Sequence, residues 1–390
     1  MPPVDSTLAT TLLHDLVRIP SVNPDLVLGA PGEAEVAAYI ADTLRGWGLE
    51  VAVREAAAGR PNVISTLAGS GGGRTLLFNG HMDTVSAEGM DEPYAGTLRD
   101  GRLYGRGAID MKGSLAATMA ATKALVDEGA TLRGNVVFTY VADEEYASIG
   151  TAAVVADIRE GRLPRPDAAV NTEATGLRVG IGHKGFTWLD VVTEGKAAHG
   201  SRPDLGVDAI VHMGKVLVEL GALQARLMAG PRHPRLGTGS VHASLVAGGR
   251  ELSSYPDRCE LRLERRTVPP ETADDVAGEF DEIITRLSTN DETFRASSTV
   301  TFVRNPWEAD PASDIVKATT AAIGCVTGTD AETMTQTGWL DSGLLGDAGI
   351  PTVICGPRGE GLHAAVEWVE VDSLATCADI YAEIIRQFCG

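Results

Sequence analysis

Two histidines and a set of carboxylates stand where strand-like runs give way to loops. Thr75-Leu76-Leu77-Phe78-Asn79 leads into Gly80-His81-Met82-Asp83, and Val136–Val141 leads into Asp143-Glu144-Glu145. Ala168-Ala169-Val170 leads into Asn171-Thr172-Glu173, and a late loop, Gly359-Glu360-Gly361-Leu362-His363, follows the run Val353–Cys355. Asp110 lies in Gly105-Arg106-Gly107-Ala108-Ile109-Asp110-Met111-Lys112-Gly113, just before a helical stretch. Imidazole and carboxylate without cysteine is a borderline-to-hard donor set, suited to Zn²⁺, Co²⁺ or Mn²⁺. A pair of such ions at about 3.5–4 Å needs a shared carboxylate and roughly symmetric terminal ligands, and together the ions clamp and ionise one water. Asp83, two residues after His81, is spaced to return to the imidazole and fix its tautomer. The doublet Glu144-Glu145 can divide the work, one side chain on metal and the other facing the reacting water as general base.

Taken singly, each residue has an ordinary reading. His81 can cap or hydrogen-bond, Asp110 can be a helix N-cap, and Glu144-Glu145 can be a solvated acidic loop. The ordered set weighs against those readings. His14, His183, His212, His233 and His242 have no such company and read as structural.

The elements that must position these residues alternate. Helical patterns cover residues 7–17 behind a Ser6/Thr7 cap, 33–46, 114–128 and 151–159, with strand-like runs between them. Strands alternating with helices of 10 to 15 residues predict an α/β sheet covered on both faces, which places its site at strand ends. After about Gly182 the texture becomes a compact α+β pattern, with strands at 186–193, 241–247 and 259–265 and helices at 208–227 and 271–286. Helix–strand alternation resumes at 311–323 and ends with a helix over 371–388. The expected organisation is one α/β domain, residues 1–181 and 296–390, interrupted by an inserted domain at 182–295.

Composition narrows the function classes. With 390 residues, 44% hydrophobic and 22% charged, the chain reads as a soluble protein large enough for two domains. A net charge of −20, from 53 carboxylates against 33 Lys and Arg, repels phosphate backbones and anionic lipid, so no nucleic acid and no membrane is expected as partner. No apolar run is long enough for a membrane-spanning helix, and no secretory signal is expected. Five scattered cysteines without CxxC spacing argue against a disulfide scaffold or cysteine zinc site and suit a reduced, cytoplasmic compartment. Gly69–Gly73 and Gly105–Gly107 lack nucleotide-loop spacing, which makes a dehydrogenase a weak alternative. A binding protein that has lost catalysis is a further alternative.

The segments GHMDTV, YGRGAIDMKG, ADEE, NTEAT and GLHA, in that order, closely resemble the co-catalytic zinc metallopeptidase family. That family includes acetylornithine deacetylase, succinyl-diaminopimelate desuccinylase, aminoacylase and carboxypeptidase G. The resemblance implies a zinc-exopeptidase-like α/β/α catalytic domain with an inserted α+β lid and dimerisation domain. It implies two divalent ions per subunit, zinc first and cobalt or manganese as alternatives: His81 and Glu173 on one, Glu145 and His363 on the other, Asp110 bridging. Asp83 would orient His81, and Glu144 would be the general base. In Lys196-Ala197-Ala198-His199-Gly200, His199 would reach the partner subunit's site in a homodimer and stabilise the oxyanion. Arg266, ten residues beyond Pro256, would grip the substrate carboxylate. Two departures stand out: Ser253 replaces the asparagine usual three residues before that proline, which bears on substrate recognition, and Ala174 replaces a proline. The implied activity is deacylation of N-acyl-L-amino acids, with a dipeptidase or carboxypeptidase acting on short peptides as the alternative.

Overall fold

The computed structural model describes residues 4–390, which divide into two compact units. The first comprises residues 4–181, 309–334 and 340–390, and the second comprises residues 182–308 and 335–339.

The large sheet has its strands in the order Glu50–Ala57, Arg60–Leu67, Val136–Val141, Leu76–His81, Ala168–Asn171, Thr352–Ile354, Val179–His183, the last of these ending with the first two residues of the second unit. Leu76–His81 runs parallel to both Val136–Val141 and Ala168–Asn171, with His81 level with Val141 and Asn79 with Asn171. These two longest central strands are buried at every residue, as near-continuous apolar runs require when helices cover both faces. Alternation still sorts their side chains. Leu77 and Val137 join Val154, Ile158 and Leu345 on one face. On the other, Phe78 stacks on Phe138 at 5.5 Å and meets Tyr381 edge-on at 5.3 Å. Tyr381 belongs to the buried C-terminal helix Val371–Cys389, which packs beside Gly113–Asp127 and Ser6–Arg18. The N-terminal helix is capped by Asp5, whose carboxylate accepts from Thr7 N and Leu8 N, rather than by Ser6 or Thr7. A short carboxylate just outside the first turn reaches both orphan amides.

The second unit is a four-stranded antiparallel sheet, Ser240–Gly248, Arg258–Thr267, Gly185–Glu194, Arg295–Arg304. On one face, Met213 and Val216 of helix Ala209–Ala229 and Phe280 of helix Ala273–Asn290 pack with the sheet residues Leu189, Val191, Leu261 and Leu263. Phe186, Trp188 and Phe302 cluster on the other face. The unit extends to Glu308 rather than ending at residue 295, because Arg295–Arg304 is its edge strand, paired along Gly185–Glu194.

All five cysteines are free, four of them buried and Cys325 exposed. Among the described residues no helix is long and apolar enough to cross a membrane.

Candidate active site

Because the central strands are parallel, their C-terminal ends bring His81, the Asp143–Glu145 loop and Glu173 to one edge of the sheet. His81 closes its strand, Glu144 and Glu145 follow Val136–Val141, and Glu173 stands two residues after Ala168–Asn171. Gly80 is required there: a Cβ on it would lie 2.5 Å from Thr172 Oγ1 and 2.8 Å from a Leu115 methyl. Asp110 enters from an irregular turn, residues 108–112, that precedes helix Gly113–Asp127. His363 adopts a left-handed φ of 61° in its loop.

Asp110 stands between the two histidines. Its Oδ1 is 3.3 Å from His81 Nε2, and its Oδ2 is 3.2 Å from His363 Nε2. Glu173 Oε1 lies 3.4 Å from His81 Nε2, and Glu145 Oε2 lies 3.0 Å from His363 Nε2. Glu144 Oε2 is further from His81 Nε2, at 4.0 Å. The buried His81 Nε2 and Glu145 Oε1 have no hydrogen-bond partner of acceptable geometry. Four carboxylates gathered around two imidazoles, with buried donor atoms left unpaired, fit divalent cations. His81, Glu144 and Glu173, and likewise His81, Asp110 and Glu145, each offer ligand atoms close enough together to share one ion.

Protonation follows the crowding. Burial opposes charge on His81, yet Asp110, Asp83 and Glu173 hold its pKa well above the imidazole range. Asp110 and Glu145 raise His363 to about 10. Burial pushes Glu144 well up, with Asp341, Glu173 and Glu145 adding to the shift. Glu145 rises to about 7 through burial and the Asp110 charge. Asp341, buried and accepting from Thr151 Oγ1 at 2.6 Å, is pushed up to about 6 by burial.

Asp83 reaches His81 through its backbone and its carboxylate alike. The ring Nδ1 of His81 lies 2.9 Å from the Asp83 backbone carbonyl and 3.5 Å from Oδ1. The Asp83 carboxylate also accepts from Glu144 N at 3.0 Å, Glu145 N at 3.2 Å and Asn23 Nδ2 at 2.8 Å. It therefore ties the histidine strand to the glutamate loop.

The sequence reading did not single out the supports around these groups. Glu367, wholly buried, pairs with Arg106 at 2.6 Å and accepts from Gly107 N, Ile109 N and Asp110 N at 3.0–3.1 Å. It thus holds the turn that presents Asp110. Arg60 makes a two-pronged pair with Glu33, each prong 2.7 Å, and reaches Asp143 at 3.0 Å. Asp143 itself is left-handed, with φ 69°; such backbone persists only where its surroundings over-determine it. No local pattern marks these supports, since their partners lie up to 261 positions away in the chain.

Three further predicted residues lie in the second unit. His199 is exposed, with Nδ1 2.8 Å from Ser201 Oγ. Ser253 is exposed, and its carbonyl accepts from Gly200 N. Arg265 and Arg266 point to opposite faces, as alternation requires. Arg265 is buried and clasped by Glu271 and Glu279. Arg266 lies over the Phe186 ring at 5.0 Å and pairs with Glu264 at 2.6 Å.

Residues 77–387 match the model of peptidase family M20/M25/M40. The chain is 31% identical to a succinyl-diaminopimelate desuccinylase of Gluconacetobacter diazotrophicus, covering 99% of this chain and 98% of that one. It is 26% identical to an N-formyl-4-amino-5-aminomethyl-2-methylpyrimidine deformylase of Bacillus subtilis, covering 91% and 89%. Among solved structures, the aminopeptidase PepT of Bacillus cereus matches with a TM-score of 0.80 at 20% identity, over 99% of this chain and 100% of that one. That likeness shows the fold, an α/β unit interrupted in sequence by a smaller α+β unit.

Proposed function

The chain belongs to peptidase family M20/M25/M40, and from that premise we propose that it is a metal-dependent amidohydrolase that removes the acyl group from N-acyl-L-amino acids. The observation that carries this reading is Asp110 offering one oxygen to each histidine. On this reading His81 and Glu173 hold one divalent ion, Glu145 and His363 the other, and Asp110 is shared. Bound there, two ions, zinc in the first instance, would polarise the acyl carbonyl and make a water more acidic. Glu144 sits beside His81 without a place in the symmetric set. Its carboxylate, 4.0 Å from His81 Nε2, is placed to take the proton from the attacking water and hand it to the leaving amine. Relatives named as a desuccinylase and a deformylase support acyl transfer to water and leave the acyl group open.

The second unit supplies the remaining roles in this reading. Helix Ala209–Ala229 exposes Ile210, Val211, Leu217 and Val218, and the edge strand Ser240–Gly248 exposes Leu245 and Val246. An apolar helix face beside an apolar edge strand suits a two-fold contact with a second copy. In the resulting homodimer His199 of one copy stabilises the oxyanion in the other. Arg266, released from Glu264, grips the substrate carboxylate through its planar fork. Free cysteines throughout suit a cytoplasmic setting.

A panel of N-acetyl, N-formyl, N-succinyl and dipeptide substrates, assayed with Zn²⁺, Co²⁺ and Mn²⁺, tests the reading. Turnover of N-acyl amino acids above dipeptides is expected; the reverse order assigns the chain to peptide cleavage.

A further inference from the structure

The segment Ser21–Asn23 is laced to the residues that follow His81. Asn23 N donates to Thr84 O at 2.9 Å, Thr84 N to Ser21 O at 3.0 Å, and Ser21 Oγ to Met82 O at 2.7 Å. This lacing fixes the Asn23 side chain, which is wholly buried. Its Oδ1 accepts from Asp25 N at 2.9 Å, while its Nδ2 donates to Asp83 Oδ2 at 2.8 Å and to Asp143 Oδ1 at 2.9 Å. Every hydrogen-bonding position of the amide that these carboxylates need is therefore in use. The carboxylates it joins are the two that set the glutamate loop. Asp83 receives Glu144 N and Glu145 N, and Asp143 receives Ala147 N and Ile149 N through its other oxygen.

We propose that Asn23 is a positioning residue for hydrolysis: its amide, bridging Asp83 and Asp143, fixes the carboxylates that hold the backbone of Glu144 and Glu145. The inference rests on the proposed role of Glu144. Arg60 reaches Asp143, but among the described residues Asn23 is the one side chain that donates to both carboxylates. Without its two hydrogens, Asp83 and Asp143 face each other with no shared donor, Arg60 still reaching only Asp143, and the Asp83 carboxylate loses the side-chain contact that fixes it under the loop amides.

Asn23→Asp keeps the shape and removes both donors. The expected result is a kcat per metal-loaded site at least 30-fold below the parent, with KM within threefold. In the metal-free protein, hydrogen exchange over residues 143–147 should speed at least tenfold while helix Gly113–Asp127 is unchanged. Asn23→Ala, which adds no charge, should give the same split if the aspartate variant folds poorly. The double variant Asn23→Asp/Asp143→Asn relieves the facing anions at position 143 and leaves Asp83 without its donor. It should regain thermal stability and not kcat. Recovery of kcat together with stability, or unchanged exchange over 143–147, overturns the proposal. A parent inactive on every amide tested would refute the functional reading, and the exchange measurement would still decide the role of Asn23.

Discussion

At the scale of single residues, the site is a crowd of anions held together by protons or by metal. The raised pKa of His81 and the value of about 10 for His363 mean that both rings carry protons at neutral pH when no ion is bound. A metal takes the neutral ring, so loading must expel protons. Metal affinity should therefore rise with pH through neutrality and level off only near pH 10, and titration calorimetry in buffers of different ionisation enthalpy should detect net proton release on loading at pH 7.5. Glu144→Gln should retain two ions per chain by elemental analysis and lose about 10²–10⁴-fold in turnover, the range for a lost general base. A fall to one ion would place Glu144 among the ligands instead. Arg266→Ala should weaken catalysis on free N-acyl amino acids by about 2–4 kcal/mol of transition-state stabilisation. Amide-capped substrates, which lack the anion, should change far less. That His81, Asp110, Glu144, Glu145, Glu173 and His363 lie together was legible because few side-chain types can bind metal, and because strand ends and turns limit where they can stand. The second duty of Asp83 was not legible: its carboxylate also takes two backbone amides of the glutamate loop, and no side-chain pattern encodes that.

At the scale of elements, each group on the site is presented by a strand end or turn that is itself held from elsewhere. The turn before helix Gly113–Asp127 hangs on Glu367, whose two oxygens take three backbone amides and Arg106. Glu367→Ala leaves Arg106 buried without its counter-ion, though still donating to Ser86 O and Ala364 O, so a loss of about 3–5 kcal/mol in denaturant unfolding is expected. A shift of less than about 1 kcal/mol would mean that water readily replaces the carboxylate. The helices and apolar strands of the first unit follow from periodicity, since runs such as Val136–Val141 are too apolar to lie anywhere but inside. Arg295–Arg304 carries Ser297, Ser298, Thr299 and Thr301 among its few apolar residues, which gives little alternation to read. The expected end of the insert therefore falls short of that strand. Pairing with Gly185–Glu194 supplies what its own sequence lacks.

At the scale of the whole molecule, the exposed apolar face of the second unit should make the enzyme a dimer. Val218→Glu places a charge in the middle of that face. Sedimentation should then show a monomer, and activity should fall with dissociation if His199 acts in the neighbouring copy. A fully active monomer would remove the case for His199. The strand order of the first unit carries one more consequence. Thr352–Ile354 lies between Ala168–Asn171 and Val179–His183, so a slot in the sheet stays open until the whole insert has left the ribosome. A nascent chain already holds His81, Asp110, Glu144, Glu145 and Glu173 while still lacking His363 and the strand that seals the slot. Domains tend to fold as they emerge, but this one cannot finish in that order. Until residues 352–354 emerge, the facing edges of Ala168–Asn171 and Val179–His183 are without the strand that joins them.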